Sequence, residues 1–345
     1  MKQPVYLHCL TLFLLALLIL SGVHLHAMDK MSPVKAGQIE QPTGRIAFIR
    51  DKNVWVMDHQ GQNQRMVCEV GNANGRLSWA PDGRRIVFTR SGQVNFRSPD
   101  NTGGMHKVYD LFIAYLDSAD AGKTYWWYRL TDELGGRFPE WLPNGKIIFT
   151  KDMHAQEVAA MLPNYQLCII DPSSGEIEIL RKDWQHMTEY LTRPSMNQNG
   201  DIAFVHFYDV SGRGPGQPQG IAVLNRDQIM MPLDSIRVLS SRLKGMIGPA
   251  WSPDGNWIAY VSNSMTIPGL FISSADLTET YLVFEPPPGT GVSIVAPSFS
   301  PDSKWLTFAT TDGSIWTCDI TGNNARRITQ PGLDRAPAWW KGGGN

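Results

Sequence analysis

Along most of its 345 residues the chain alternates short apolar runs with compact polar turns, and one pattern keeps returning. An apolar residue, usually with Pro two positions before it, leads into a turn rich in Pro, Asp and Gly. An aliphatic, a small and an aromatic residue follow. The pattern reads Leu77-Ser78-Trp79-Ala80-Pro81-Asp82-Gly83 before Ile86-Val87-Phe88, and Pro249-Ala250-Trp251-Ser252-Pro253-Asp254-Gly255 before Ile258-Ala259-Tyr260. Pro presets φ at the second turn position, Asp tolerates the bend and Gly accepts the positive φ that follows, so each copy predicts two strands joined by a tight reversal. A unit repeated at this spacing has to be understood before any local motif.

Counting the copies gives the architecture. The aliphatic–small–aromatic strand occurs at Ile46-Ala47-Phe48, Ile86-Val87-Phe88, Ile147-Ile148-Phe149, Ile202-Ala203-Phe204, Ile258-Ala259-Tyr260 and, loosely, Leu306-Thr307-Phe308. The preceding strand carries Trp79, Trp141, Met196, Trp251, Phe299 and Trp339. Both sets number six, but they are out of phase: Phe48 has no Trp strand before it, and Pro337-Ala338-Trp339 has no aromatic strand after it. Pairing the last strand with the first blade closes a circle and leaves no open sheet edge there. The predicted fold is all-β, a six-bladed β-propeller closed by pairing of the C-terminal strand with the N-terminal blade. Third strands are expected at 54–58, 111–115, 167–171 and 315–319, and Ala325-Arg326-Arg327-Ile328-Thr329 supplies a fourth. Pro143-Asn144-Gly145 and Gln198-Asn199-Gly200 keep the turn chemistry; Pro301-Asp302-Ser303 lacks the Gly and is expected to be looser.

The repeated Trp-Ser-Pro-Asp-Gly with a following Ile-Ala-Tyr resembles the propeller repeat of TolB, the periplasmic component of the Tol-Pal system, which is also found in the propellers of tricorn and prolyl oligopeptidase-type peptidases. The resemblance runs from about Thr43 to Trp340. It implies the fold strongly and the function weakly, because propellers host unrelated activities. TolB-type proteins carry a further domain ahead of the propeller, for which 28–42 is too short. The peptidases carry a hydrolase domain, and no Gly-x-Ser-x-Gly nucleophile elbow is present.

Residues 1–27 read as an export signal: Lys2, an apolar run from Leu10 to Leu20, then a polar, small-residue exit ending at Ala27. The expected organisation is thus a signal peptide over 1–27, a linker over 28–42, the propeller over 43–340 and a tail over 341–345, in a periplasmic or secreted protein with no membrane span once the signal is removed. Without residues 1–27, which hold Lys2 and no acid, 30 basic and 32 acidic residues remain, a formal charge of −2. That balance argues against a nucleic-acid partner. Cys68, Cys168 and Cys318 fall in strand-like segments of different blades and are expected as buried small hydrophobes, not a disulfide framework.

Propeller geometry sorts the connections into a short, uniform face of Pro-Asp-Gly turns and an opposite face of unequal loops. The long ones are expected at Arg90–Lys107, Asp152–Tyr165, Phe207–Gln219 and Lys182–Thr192, which places a binding surface over blades two to four. His106, His154, His186 and His206 fall on or near these loops. His154, His186 and His206 could meet between blades three and four as a metal or general-base site, with Glu157, Glu189 or Asp209 nearby; without dense ligand spacing, scattered loop histidines are the preferred expectation, with no metal.

Arg76, Arg137, Arg193 and Arg335 precede the Trp strand at equivalent or adjacent positions, which would put four guanidinium groups around the channel mouth. Their planar forks suit carboxylates and phosphates. Interblade salt bridges to Asp334, Glu140 or Glu189 are an equal alternative. The recurring Trp79, Trp141, Trp251 and Trp339 are expected to pack between blades, whereas Trp184, Tyr190 and Tyr208 are candidates for ligand contact and Tyr125–Tyr128 for an outer strip.

These features point first to an exported, non-enzymatic binding or scaffold propeller that engages a protein or envelope polymer through its long-loop face and channel mouth, with an acidic group of the partner entering the channel. No catalytic residues and no cofactor are assigned. A polysaccharide lyase or hydrolase using His and Arg at the channel mouth, with or without a metal, is the alternative.

Overall fold

The computed structural model describes residues 40–97, 103–116, 126–132, 135–153, 155, 165–180, 189–208, 218–225, 228–229, 237–240, 246–264, 268–287 and 290–341. Their strands form six four-stranded antiparallel sheets. The first holds β1 (Arg45–Arg50), β2 (Asn53–Asp58) and β3 (Arg65–Cys68), with β24 (Arg335–Trp339) beside β1. The second is β4 (Ala73–Trp79), β5 (Arg85–Arg97), β6 (Gly103–Tyr115) and β7 (Trp127–Arg129); the third is β8 (Gly136–Trp141), β9 (Ile147–Asp152), β10 (Tyr165–Ile170) and β11 (Ile177–Ile179). The fourth comprises β12 (Glu189–Met196), β13 (Ile202–Tyr208), β14 (Pro218–Leu224) and β15 (Arg237–Ser240). The fifth comprises β16 (Met246–Trp251), β17 (Trp257–Asn263), β18 (Pro268–Ser274) and β19 (Thr280–Phe284), and the sixth β20 (Ile294–Phe299), β21 (Trp305–Thr310), β22 (Ile315–Asp319) and β23 (Arg326–Arg327).

The innermost strands touch in a circle, β4 to β8, β12, β16, β20, β24 and back to β4. This is a six-bladed β-propeller. β24 pairs with β1, Ile46 opposite Trp339 and Ala47 opposite Ala338, so the first blade draws strands from both ends of the ring. The core lies between sheets: Val54 and Val56 of the first blade pack in one buried cluster with Leu77, Ile86 and Phe88 of the second. Apolar residues on both faces of a strand are what such sandwiched sheets require.

The reversing turns follow the expected chemistry. In the fifth blade the Ser252 hydroxyl donates to Asp254 Oδ1 (2.5 Å) and accepts from the Trp257 N–H (2.9 Å), while Gly255 takes φ 74°. Pro301-Asp302-Ser303 is not loosened by its missing Gly. Ser303 takes φ 60° and its N–H reaches the Ser300 carbonyl at 3.1 Å. Its hydroxyl also accepts the Asp254 N–H of the neighbouring blade at 3.1 Å, an interblade bond that Gly could not make.

The segment Arg90–Lys107, expected as a loop, is mostly sheet. β5 and β6 pair continuously from Arg85 opposite Tyr115 to Arg97 opposite Gly103. Val94 and Phe96 alternate with Gln93, Asn95 and Arg97, a period-two pattern that favours pairing over a coil. Cys68, Cys168 and Cys318 are free and buried. Burial pushes the Cys68 and Cys168 thiols up to about 12 and Cys318 higher still, so none is a ready nucleophile. Among the described residues no helix is long and apolar enough to cross a membrane.

Candidate functional site

The six inner strands enclose a central cavity of about 520 Å³. Its walls at one end are the reversing turns, with Pro81, Pro143, Pro253 and Pro301; at the other end they are the strand beginnings, with Gly75, Arg76, Phe138, Arg193, Gly248, Ala296 and Ala336. These beginnings share a backbone device. Gly75, Phe138, Arg193, Gly248, Ala296 and Ala336 all have φ between 52° and 73°, and in each blade the pairing of the inner strand with its neighbour shifts register there. Each is a β-bulge that re-aims the side chains around it.

The bulge decides which of the four arginines face the cavity. Arg76 and Arg193 stand three residues before Trp79 and Met196 and line it. Arg137 and Arg335 stand four before Trp141 and Trp339, the third-before places being taken by Phe138 and Ala336. Arg137 turns to the Tyr109 ring, 3.6 Å from its centroid, and donates to the Tyr165 hydroxyl at 3.3 Å. Arg335 is exposed beside a separate shallow depression with Asp51, Lys52 and Asp334. The expected ring of four guanidinium groups is therefore a pair, because the bulge offsets the side-chain direction by one residue.

Arg76 is held in place: its Nη1 donates to the Pro194 carbonyl (2.8 Å) and its Nη2 pairs with Glu140 Oε2 (2.7 Å). The interblade salt bridge expected as the alternative thus exists for this residue. Arg193 differs. Its guanidinium stacks 4.7 Å from the Phe138 ring centroid, and among the described residues no carboxylate pairs with it. Burial, followed by the nearby charges of Arg137 and Arg76, pushes its pKa below the ordinary arginine value. A non-glycine residue in the left-handed region costs roughly 1–3 kcal/mol, and partial desolvation of a cation without an anion adds to that.

Toward the turn end, Lys341, just past β24, crosses into the cavity. Its Nζ lies 3.3 Å from Glu140 Oε1 and 3.2 Å from the Trp251 carbonyl. Glu140 is only 3% exposed and also accepts the Ser195 hydroxyl at 3.0 Å. Arg76, Arg193 and Lys341 face the single acid Glu140, so the charged groups of the lining sum to +2. Trp79, Trp141, Trp251, Trp339 and Trp340 supply apolar wall. The recurring tryptophans therefore do more than pack between blades.

Of the remaining candidates, His206 lies on β13, its Cα opposite Leu191 and Gly220. It is half-buried, burial pushes its pKa down, and its Nε2 has no hydrogen-bond partner among the described residues. His154, His186 and Trp184 lie outside the described residues. Tyr208 ends β13 opposite Glu189. Among the described residues no three His, Cys, Asp or Glu side chains converge as metal ligands. The outer strip includes Trp126, 63% exposed, with its ring 5.4 Å from Tyr115.

Two solved structures have the same ring. TolB from Acinetobacter baumannii superposes with a TM-score of 0.60 at 19% identity, over 86% of this chain and 66% of that one. The fold is that of the TolB propeller. A putative TolB from Agrobacterium tumefaciens gives a TM-score of 0.52 at 13% identity, over 84% and 90% of the two chains. The present chain thus spans slightly less than two thirds of the length of the Acinetobacter TolB. No protein-family model and no curated protein matches the sequence.

Glu140 and Lys341 were not singled out from the sequence as ligand-site residues. Glu140 carries a legible signal: it precedes Trp141 where the other five blades have Ser78, Ser195, Ala250, Ser298 and Ala338. Lys341 carries none, since only the path of the chain brings it inside the ring.

Proposed function

We propose that this protein is an exported binding propeller that engages a protein or envelope component through its long-loop face and the adjoining channel mouth, an acidic group of the partner entering between Arg76 and Arg193. The observation that carries this reading is Arg193: a half-buried cation in a left-handed backbone conformation, facing a cavity of net positive lining, with no carboxylate partner among the described residues. Folding alone does not call for it, since Gly248, Ala296 and Ala336 fill the same bulge in other blades. A partner carboxylate or phosphate would take the bidentate fork of Arg193, which no carboxylate among the described residues occupies. The β5–β6 ribbon, roughly twice the length of the corresponding hairpins, stands on the same face and offers further surface. The apolar leader at 10–20 supports export to the periplasm or beyond.

Affinity capture from envelope extracts tests this. The wild-type chain retains a partner that an Arg76→Ala/Arg193→Gly variant, folded by circular dichroism, does not. Equal retention by the two proteins, or turnover of an acidic polysaccharide with no partner retained, overturns the proposal.

A further inference from the structure

The carboxylate at Glu140 asks for an explanation that the ring does not supply. The residue immediately before the large inner-strand side chain (Trp79, Met196 or Phe299) is Ser in three blades, and there it has a structural task. Ser78, Ser195 and Ser298 accept the backbone N–H of Trp141, Trp251 and Trp339 in the next blade, at 2.9, 3.0 and 3.0 Å. In the intervening blades the position needs no side chain, since Ala250 and Ala338 fill it. Glu140 is the exception, and it buries a charge that must be compensated.

We propose that Glu140 Oε1 and the Trp251 carbonyl form a seat for a primary alkylammonium group, of the kind carried by a lysyl side chain, and that Lys341 fills this seat from within the chain. Two acceptors from different blades converge on one nitrogen, 3.3 and 3.2 Å away. Convergence on a point suits the compact, three-donor ammonium over a planar guanidinium. The distances are longer than the roughly 2.7–2.9 Å of a well-made charge-assisted hydrogen bond, so Lys341 holds the seat loosely. Lys341 belongs to no strand and keeps about one third of its side-chain surface, 32%, exposed. Leaving would therefore cost no sheet pairing. Glu140 would meanwhile retain Arg76 and Ser195, and the walls of Trp141, Trp251 and Trp340 would accept the apolar stem of an incoming amine. The seat takes a cation at Glu140 Oε1, whereas the acidic-group reading concerns the guanidinium groups of Arg76 and Arg193; the two adjoin through the Arg76–Glu140 pair and are told apart by the charge of the probe.

The test uses the full chain and n-butylammonium as probe, followed by tryptophan fluorescence and isothermal titration. Lys341→Ala opens the seat and binds n-butylammonium at least tenfold more tightly than the wild type, whose own lysine competes. Tetramethylammonium, with the same charge and no N–H, gains nothing from the substitution, and Lys341→Ala/Glu140→Ala loses the gain for n-butylammonium. Should the double variant fail to fold, the comparison of the two cations in Lys341→Ala still decides. Equal affinity of wild type and Lys341→Ala for n-butylammonium, or equal gains for both cations, overturns the proposal. Because the probe is a cation, either outcome leaves the acidic-partner reading to its own experiment.

Discussion

The Trp339 indole N–H donates to the carbonyl of Thr43, 2.8 Å away and 296 residues earlier in the chain. With Ile46 paired to Trp339, this contact fastens the two ends of the ring. Trp339 is almost wholly buried, so its removal leaves a large void and an unpaired carbonyl where first and sixth blades meet. Trp339→Ala should lower stability by about 3–5 kcal/mol, read from urea unfolding monitored by circular dichroism. Trp126→Ala removes an indole that is 63% exposed and should stay within about 0.5 kcal/mol of wild type. Equal losses in the two variants would mean that closure contributes little.

Arg76 and Glu140 join the neighbouring inner strands of blades two and three. Arg76→Ala leaves Glu140 short of a charge partner and should cost about 1–3 kcal/mol, less than a fully buried pair because Arg76 keeps some solvent contact. Glu140→Ala alone leaves Arg76 and Lys341 facing each other without an anion and should cost a similar amount. Arg76→Ala/Glu140→Ala should be less destabilised than the two losses added together, since Ala already serves at the equivalent positions 250 and 338. Strict additivity in denaturant titrations would show that the pair is not coupled.

The ring itself is legible in the sequence because strand period, turn chemistry and the out-of-phase first and last copies all depend on local residue type. The channel is less so. One residue of offset separates Arg76 and Arg193, which face the cavity, from Arg137 and Arg335, which do not, and that offset arises from a bulge whose left-handed residue is Gly in only two blades. Phe138, Arg193, Ala296 and Ala336 adopt the same φ without the glycine that would have announced it. Counting back from the aromatic, where Glu140 breaks a run of Ser and Ala, recovers part of the site. The convergence of Lys341 on Glu140 is set by the circular path of the chain, and no local pattern encodes it.

Arg193 offers a contrast between stability and binding. Replacing it with Gly removes both the left-handed strain of a side-chain-bearing residue and a desolvated cation. Arg193→Gly should therefore be more stable than wild type by about 1 kcal/mol while losing affinity for an acidic partner. A clear loss of stability in thermal unfolding would instead assign the guanidinium, through its stacking on Phe138, a packing role.

His206 gives the fold an acid sensitivity with a definite sign. Burial lowers its pKa below the ordinary 6.5, so the folded chain binds the proton less readily than the unfolded chain does. The stability it contributes is complete above about pH 6.5 and is lost as pH falls through the lower folded value, with a slope below about 1.4 kcal/mol per pH unit. His59 is shifted the same way, mainly by burial, and adds to the slope. Carboxylates held low by hydroxyl and backbone donors, such as Asp276 at about 2, give way only at more acid pH, below the ordinary carboxylate range, so they leave this window to the histidines. Urea midpoints measured from pH 7.5 to 5 should fall for wild type and fall less steeply for His206→Leu, with His59→Gln/His206→Leu flatter still. A slope unchanged by His206→Leu would mean that the unfolded and folded chains bind that proton equally well.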